Sequence, residues 1–373
     1  MNILIINWQD IKNPFGGGAE THLHEIFKRI AARGHDVTLY CCEVPGLPRE
    51  EVLDGIRIIR EGNRNLFNFY VPLRYFSRFK KEHYDIIIDD VNKIPFYTPL
   101  YVREPLLGIS HHFFGSSIFL EAGRIAGSYV YSAEKLVNVV YKKTPFAVVS
   151  ESTLKEFLER GFPRENFTII PNCITPGDFP MRVGEKNRVP TVTYFGRLKK
   201  YKSADHLVKA FAIVLKEIPK ARLQILGTGD FRPELERLTK ELQIEEEVKF
   251  FGFVSDEQKI ELLSAAHCMV NPSMKEGWGI TNIEANACGT PVISANVPGL
   301  RDSMSEGQNG LLYEYGDITG LARAIIRVLK NDALRQELSD GAVAWAKTFD
   351  WDDSATKMIE LCERVIAGSK NSF

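Results

Sequence analysis

The opening residues, NILIIN (Asn2–Asn7), are apolar without a break at their centre, the pattern of a strand buried on both faces of a sheet. A glycine-rich loop follows, and apolar positions then recur at helical spacing from Ala19 to Ala32. Gly34 and His35 end that helix, and DVTLYC (Asp36–Cys41) predicts the next strand. Strand, loop, helix and strand in this order predict a parallel sheet. The alternation continues with strands predicted at Asp85–Ile88, Leu106–Ile109, Phe146–Val149 and Phe167–Ile170. Pro171–Pro190 interrupts it with four prolines and scattered charge, and reads as a linker.

A second series follows. Strands are predicted at Val192–Phe195, Arg222–Leu226, Val248–Phe251, Cys268–Val270, Pro291–Ser294 and Gly310–Tyr313. Helices are predicted at Ala204–Glu217, Arg232–Leu242, Asp256–Ala265, Ile280–Cys288 and Leu321–Lys330, with a last one near Ser354–Ile366. The pattern therefore predicts two α/β domains in tandem. Such sheets bind their ligands at the carboxyl ends of the strands, and paired domains make a cleft there.

Composition narrows the classes. A chain of 373 residues suits about two domains. Apolar residues at 44% and charged residues at 25% exclude a disordered or low-complexity chain. A net charge of −1 excludes a molecule-wide basic field for nucleic acid. The six cysteines form no C-x-x-C pair, so neither a zinc ribbon nor a redox dithiol is readable. The first residues lack the basic region and cleavage site of a signal peptide, and no run reaches the roughly 18 apolar residues of a membrane span. The expectation is a cytosolic protein with reduced thiols.

Candidate chemistry sits at strand ends. Phe15-Gly16-Gly17-Gly18-Ala19-Glu20 lies between the first strand and first helix, where bare backbone and a helix amino terminus suit an anion or a sugar. A plain strand-to-helix turn fits the same glycines. Arg197 and Lys202 follow the first strand of the second series, where a diphosphate would find a forked donor and a mobile point charge. A solvated basic turn is the alternative. The richest stretch is NPSMKEGWGITNIEANACGTPVI, residues 271–293. It sets Glu276 in a loop before a helix and Glu284 about one turn inside it, with Gly277 and Gly279 flanking Trp278. Main-chain N–H groups around Gly279–Asn282 would face an anion at the helix amino terminus. A carboxylate in such a pocket accepts hydrogen bonds from vicinal hydroxyls, as on a sugar or ribose, and is costly to bury without them. Gly227-Thr228-Gly229 is weaker: Arg232 stands where a dinucleotide fingerprint needs its third glycine.

Taken together, the loop Gly16–Glu20, the pair Arg197 and Lys202, the acids Glu276 and Glu284 with seven residues between, and Gly289-Thr290-Pro291-Val292-Ile293 with Pro298-Gly299 beyond resemble the family-4 retaining glycosyltransferases. The resemblance covers essentially the whole chain and is densest from about 190 to 315. It implies the GT-B fold, two Rossmann-like doubly wound parallel-sheet domains facing across a cleft. Residues 1–170 would be the acceptor-binding domain and 171–350 the donor-binding domain, with the helix 351–373 packing back on the first. The implied reaction moves a hexose-type sugar from a UDP-sugar or GDP-mannose to an acceptor hydroxyl, with retention and without a metal or other cofactor. The acceptor would be a lipid-linked or cell-surface glycan precursor, as in polysaccharide biosynthesis.

The resemblance also implies roles. Arg197 and Lys202 would hold the diphosphate, Glu284 the ribose, and Glu276 the donor sugar, helped by the backbone of Gly277, Trp278 and Gly279. Ile280 and Thr281 would add donor contacts at the start of the helix. Phe253 and Val254 would flank the base, and Gly17 and Gly18 would bring backbone to the phosphate and acceptor side. His111, with His112 beside it, would stand in the active site; a histidine capping its strand end is the alternative. The runner-up functions are a GT-B-like sugar-nucleotide epimerase and a catalytically silent nucleotide-binding subunit.

Three features stand outside that set. Asp89-Asp90 could hold a divalent ion, although one adjacent pair defines little coordination and structural or acceptor-side roles fit better. His22 and His24 are two apart on a helix and so face different sides. YVPLRYFSRFKK (Tyr70–Lys81) has four basic and no acidic residues among aromatics, and residues 113–143 add further apolar positions. These suit either an amphipathic core helix or peripheral contact with the inner face of a membrane.

Overall fold

A computed structural model describes residues 1–91, 94–120 and 123–370. The chain forms two compact units: residues 1–172 with 351–373, and residues 173–350. The linker predicted over 171–190 thus begins at the boundary between them.

The first unit holds strands β1 (Asn2–Ile6), β2 (Asp36–Cys41), β3 (Glu50–Leu53), β4 (Ile56–Arg60), β5 (Ile86–Asp90), β6 (Leu106–Ser110), β7 (Phe146–Val148) and β8 (Phe167–Ile169). Their order in the sheet is β3-β4-β2-β1-β5-β6-β7-β8, all parallel except the edge strand β3. Four helices follow in sequence: α1 (Gly18–Ala32), α2 (Phe67–Ser77), α3 (Arg124–Val140) and α4 (Glu151–Glu159). β1 is central, paired with β2 and β5, and its Ile3, Leu4, Ile5 and Ile6 are buried. Burial on both faces is why its sequence is a continuous apolar run rather than an alternating one. α1 turns Leu23, Ile26, Phe27 and Ile30 inward at helical spacing, each such burial stabilising by about 1.5–3 kcal/mol.

The second unit holds β9 (Thr191–Phe195), β10 (Arg222–Leu226), β11 (Val248–Gly252), β12 (Cys268–Asn271), β13 (Val292–Ala295) and β14 (Gly310–Tyr313). Its helices are α5 (Ala204–Glu217), α6 (Arg232–Glu241), α7 (Asp256–Ala265), α8 (Ile280–Ala287), α9 (Ile318–Lys330) and α10 (Asp332–Ala346). The all-parallel order β11-β10-β9-β12-β13-β14 is the doubly wound order of dinucleotide-binding domains. A last helix, α11 (Trp351–Lys370), returns to the first unit and packs on α1: Arg33 reaches Asp352 Oδ1 at 3.1 Å and Thr356 Oγ1 at 2.8 Å. Residues 371–373 of the predicted terminal helix lie outside the described residues.

β3, β4, α3, α4 and α10 were not among the predicted elements. The hairpin β3–β4, α4 and α10 carry their own signals: Ser150 caps α4, its hydroxyl accepting from the Thr153 N–H at 3.0 Å, and Asn331 caps α10 the same way. All six cysteines are buried thiols outside any disulfide. Among the described residues no helix is long and apolar enough to cross a membrane.

Candidate functional site

In the second unit the strand connections reverse between β9 and β12, and loops diverge there at the carboxyl ends of the strands. β9 runs into Arg197 and a short 3-10 turn over Lys200–Lys202; β12 runs into the loop bearing Glu276. The two loops meet, and Lys202 Nζ donates to Glu276 Oε1 in an ion pair whose side chains are each 16% exposed. Burial alone would lower the Lys202 pKa, but the adjacent Glu276 carboxylate outweighs it and holds the ammonium above the ordinary lysine value. Lys202 is therefore a fixed positive charge at neutral pH.

Arg197 is exposed, and its Nη2 donates to Tyr201 Oη at 3.3 Å. Its loop is fastened to the one after β10: Leu198 N–H donates to Thr228 O at 2.8 Å, and Phe231 N–H to Leu198 O at 3.0 Å. A Cβ at Gly229 would stand 2.0 Å from Leu198 O. The glycines of Gly227-Thr228-Gly229 thus serve close backbone approach to the arginine loop, which accounts for them without a dinucleotide. Gly299, at φ +80°, does the same for the acidic loop, where its Cβ would fall 2.0 Å from Glu276 O.

Glu284 lies on the second turn of α8, and Lys259 of α7 reaches its Oε1 at 3.0 Å. Burial pushes the Glu284 carboxyl up, partly offset by Lys259. For Lys259 burial acts downward, but Glu284 and Asp256 prevail and raise it. Lys259 escaped sequence reasoning. Its signal was a lysine on α7 that keeps Asp256, three residues before it, at 2.8 Å while turning inward.

The remaining donor-side residues divide. Phe253 is 86% exposed at the carboxyl end of β11, with Val254 half-buried beside it. Gly277 and Gly279 are buried. The Trp278 ring meets Phe349 edge-on at 5.4 Å and packs in a small cluster with Ile283 and Ala287. Of the N–H groups expected to face an anion, those of Ile280 and Asn282 turn inward, to Trp278 O at 3.1 Å and Gly279 O at 2.9 Å. Thr281 Oγ1 accepts from Asn271 Nδ2 at 3.2 Å.

In the first unit the corresponding reversal lies between β1 and β5. Gly17 N–H, expected near a phosphate, instead donates to the Glu20 carboxylate at 2.7 Å, which caps α1. Gly18 is exposed with open space around it. His111 follows β6, buried, its Nε2 3.5 Å from Oδ2 of Asp90 at the end of β5. His112 is half-buried, its ring 5.0 Å from that of Phe114. The acidic pair is split: Asp89 accepts from the hydroxyls of Thr98 and Tyr141 and is a packing element, whereas Asp90 faces His111. Burial lifts the Asp89 carboxyl to about 6. His22 and His24 take separate partners, Ile170 O at 3.0 Å and Asp54 Oδ2 at 2.8 Å. Among the described residues no group of three or more His, Cys, Asp or Glu is set to hold a metal ion.

The His22 ring stands edge-on to His111 at 5.2 Å, and burial together with His111 lowers its pKa to about 3. Between pH 6.5 and about 3 the unfolded chain binds a proton here that the folded chain refuses. Stability should therefore fall with pH in that window, by up to about 1.4 kcal/mol per unit. The melting temperature of His22→Gln should decline less from pH 7 to pH 5 than that of the parent; equal slopes would count against the assignment.

Comparison with known proteins agrees with both halves. Residues 179–345 match the family model for glycosyl transferases group 1, and residues 16–177 the model for Glycosyltransferase Family 4. The chain is 26% identical to the uncharacterized glycosyltransferase MJ1607 of Methanocaldococcus jannaschii, over 97% of each. It is 32% identical to the D-inositol 3-phosphate glycosyltransferase of a Nocardioides species, over 50% of this chain and 44% of that protein. Among solved structures, sucrose-phosphate synthase from Thermosynechococcus elongatus superposes with a TM-score of 0.81 at 22% identity, covering 98% of this chain and 99% of that one. The fold is GT-B.

Proposed function

The chain belongs to the family 4 glycosyltransferases, and from that premise we propose that it moves a hexose-type sugar from a nucleotide-diphosphate sugar, a UDP-sugar or GDP-mannose, to an acceptor hydroxyl with retention at the anomeric carbon. The observation that carries this reading is the Lys202–Glu276 pair at the β9/β12 reversal. Transfer breaks the bond from the anomeric carbon to the diphosphate and forms one to the acceptor oxygen. The leaving group gains negative charge, which Arg197 and Lys202 stabilise without a metal. Glu276 is already engaged by Lys202, which suits a carboxylate that orients donor hydroxyls better than one that attacks carbon. The departing phosphate oxygen then takes the acceptor proton on the same face. Glu284 accepts from the ribose hydroxyls, the backbone of Gly252-Phe253-Val254 reads the base, and Gly17, Gly18 and His111 serve the acceptor side.

A thermal-shift series with UDP, GDP, ADP and their sugars tests the donor reading. One nucleotide at about 100 times its dissociation constant should stabilise the protein by about 2.7 kcal/mol. No shift with any nucleoside diphosphate would contradict it.

The acceptor we favour is a lipid-linked glycan precursor reached at the cytosolic face of a membrane. α2 buries Phe67, Val71 and Tyr75 yet leaves Phe69, Leu73 and Phe76 exposed at helical spacing. α3 leaves Ile125, Tyr129, Leu136 and Val139 exposed on one stripe. Its acid, Glu134, is buried and accepts from the N–H groups of Phe114 and Gly115 at 2.7 and 2.8 Å, while Arg124 and Lys135 stay outside. On α2 and just beyond its end the cations are partly used: Arg74 pairs with Glu61, and Arg78 with Glu50 and Glu82. Flotation with phosphatidylglycerol vesicles at low salt should carry the protein upward and phosphatidylcholine vesicles should carry less. Failure to float with the anionic vesicles would reject this acceptor.

A further inference from the structure

A cavity of about 640 Å³ opens in the first unit where the chain leaves β2 and β4. It is lined by residues of the loop after β2 (Glu43, Arg49), of the loop after β4 (Glu61, Arg64), and of α2 (Tyr70, Arg74). This volume falls in the range of small-molecule sites. None of its lining residues figures in the donor chemistry described above.

Its charges are unequally engaged. Arg74 is held in a fork by Glu61, Nε to Oε2 at 2.6 Å and Nη2 to Oε1 at 2.8 Å, so that pair is neutral and fixed. Arg49 and Arg64 form no ion pair among the described residues; the guanidinium of Arg64 lies instead 4.2 Å from the centre of the Phe15 ring. Phe15 opens the triple-glycine loop, so Arg64 stands between the cavity and that loop. Glu43 is the remaining acid, leaving two unpaired guanidinium groups against one carboxylate.

The wall is also built. Gly62 has φ +78°, and a Cβ there would lie 2.6 Å from Cγ of Tyr70. Only glycine lets the ring settle over this loop. Tyr70 is 41% exposed and belongs to the helix whose Phe69, Leu73 and Phe76 face outward. The cavity therefore combines two free forked cations, a fixed aromatic wall and an apolar helix at its edge.

We propose that this cavity seats a phosphate ester carried by the acceptor, with Arg49 and Arg64 as its ligands. Guanidinium forks fit phosphate oxygens in pairs, and an ester group leaves the rest of the acceptor free to extend along Tyr70. The inference rests on the transferase reading, since it names what the acceptor carries. The phosphate could belong to a soluble ester or to a lipid headgroup, and the binding probes separate these.

The test uses the full chain and titrates glycerol 3-phosphate by calorimetry and phosphatidic acid vesicles by flotation. Parent protein is compared with Arg49→Gln/Arg64→Gln and with the remote control Lys216→Gln/Lys240→Gln. Saturable glycerol 3-phosphate binding that weakens at least tenfold in the arginine variant alone supports a soluble ester. Binding only to the vesicles, with the same dependence, supports a headgroup. The proposal is overturned if the arginine variant binds both probes as the parent does, or if the parent binds neither. UDP and GDP thermal shifts, measured alongside, separate the two failures: a nucleotide shift without phosphate-ester binding removes the acceptor site and leaves the transferase standing. Gly62→Ala gives a second arm, since displacing Tyr70 should weaken either probe while nucleotide shifts persist.

Discussion

Lys202→Ala is expected to lower kcat by about 10²–10³, the usual loss when one preorganised donor to a developing anion is removed. Its effect should exceed that of Arg197→Ala, because Lys202 is nearly buried and fixed by Glu276, whereas Arg197 is exposed and its side chain donates to Tyr201 Oη at 3.3 Å. The loss should fall on kcat more than on KM, as befits a charge that matters most while the diphosphate departs. Circular dichroism should stay near the parent, while melting should fall, because Lys202→Ala leaves the largely buried Glu276 carboxylate without its cation. Near-native turnover in both variants would end the assignment of these residues. Lys202→Arg keeps the charge but changes its shape, and should recover only part of the rate.

Arg60→Leu is expected to be the most damaging structural change, at about 3–5 kcal/mol for the first unit. Arg60 is 1% exposed and its Nε donates to Asp10, itself buried; Nη2 also reaches Glu51 at 2.7 Å, and Nη1 donates to Pro48 O at 2.9 Å. Removing the guanidinium leaves the Asp10 charge without its main counterpart in a dry setting. Urea unfolding followed separately for each unit should show the first transition displaced and the second unchanged. A displacement below about 1 kcal/mol would mean that water reaches Asp10. The double change Arg60→Leu with Asp10→Leu should restore much of the loss, because two apolar neighbours need no compensation.

Much of this could be read from the chain. Central strands such as β1 and β9 are short apolar runs because both faces are covered, so their positions follow from sequence almost residue for residue. Edges were harder. The hairpin β3–β4 was overlooked although Asp54-Gly55, both at positive φ, carries the two-residue turn signal. Its strand β3 is charged and half-exposed, so the apolar run that marks other strands is missing. In the site, residue types at strand ends pointed to Lys202 and Glu276, whose meeting depends only on β9 and β12 being neighbours. A partner supplied by helix packing was invisible: nothing in the spacing ties Lys259 to Glu284, whereas Asp90 and His111 meet because β5 and β6 are neighbours. A tryptophan between two glycines reads as a contact residue, and the packing of the Trp278 ring edge-on against Phe349 in a local apolar cluster was not legible in the spacing.

The first unit is discontinuous, completed by α11, whose Trp351, Ala355, Met358 and Cys362 are buried and whose register on α1 is fixed through Arg33. During synthesis its β-sheet leaves the ribosome long before that helix. The inward face of α1 must therefore wait, partly uncovered, until the intervening second unit and then α11 are made. The middle unit, being continuous, can mature first, and a chain cut short before Trp351 would carry a finished second unit beside an unfinished first one, a ready substrate for chaperones and proteases.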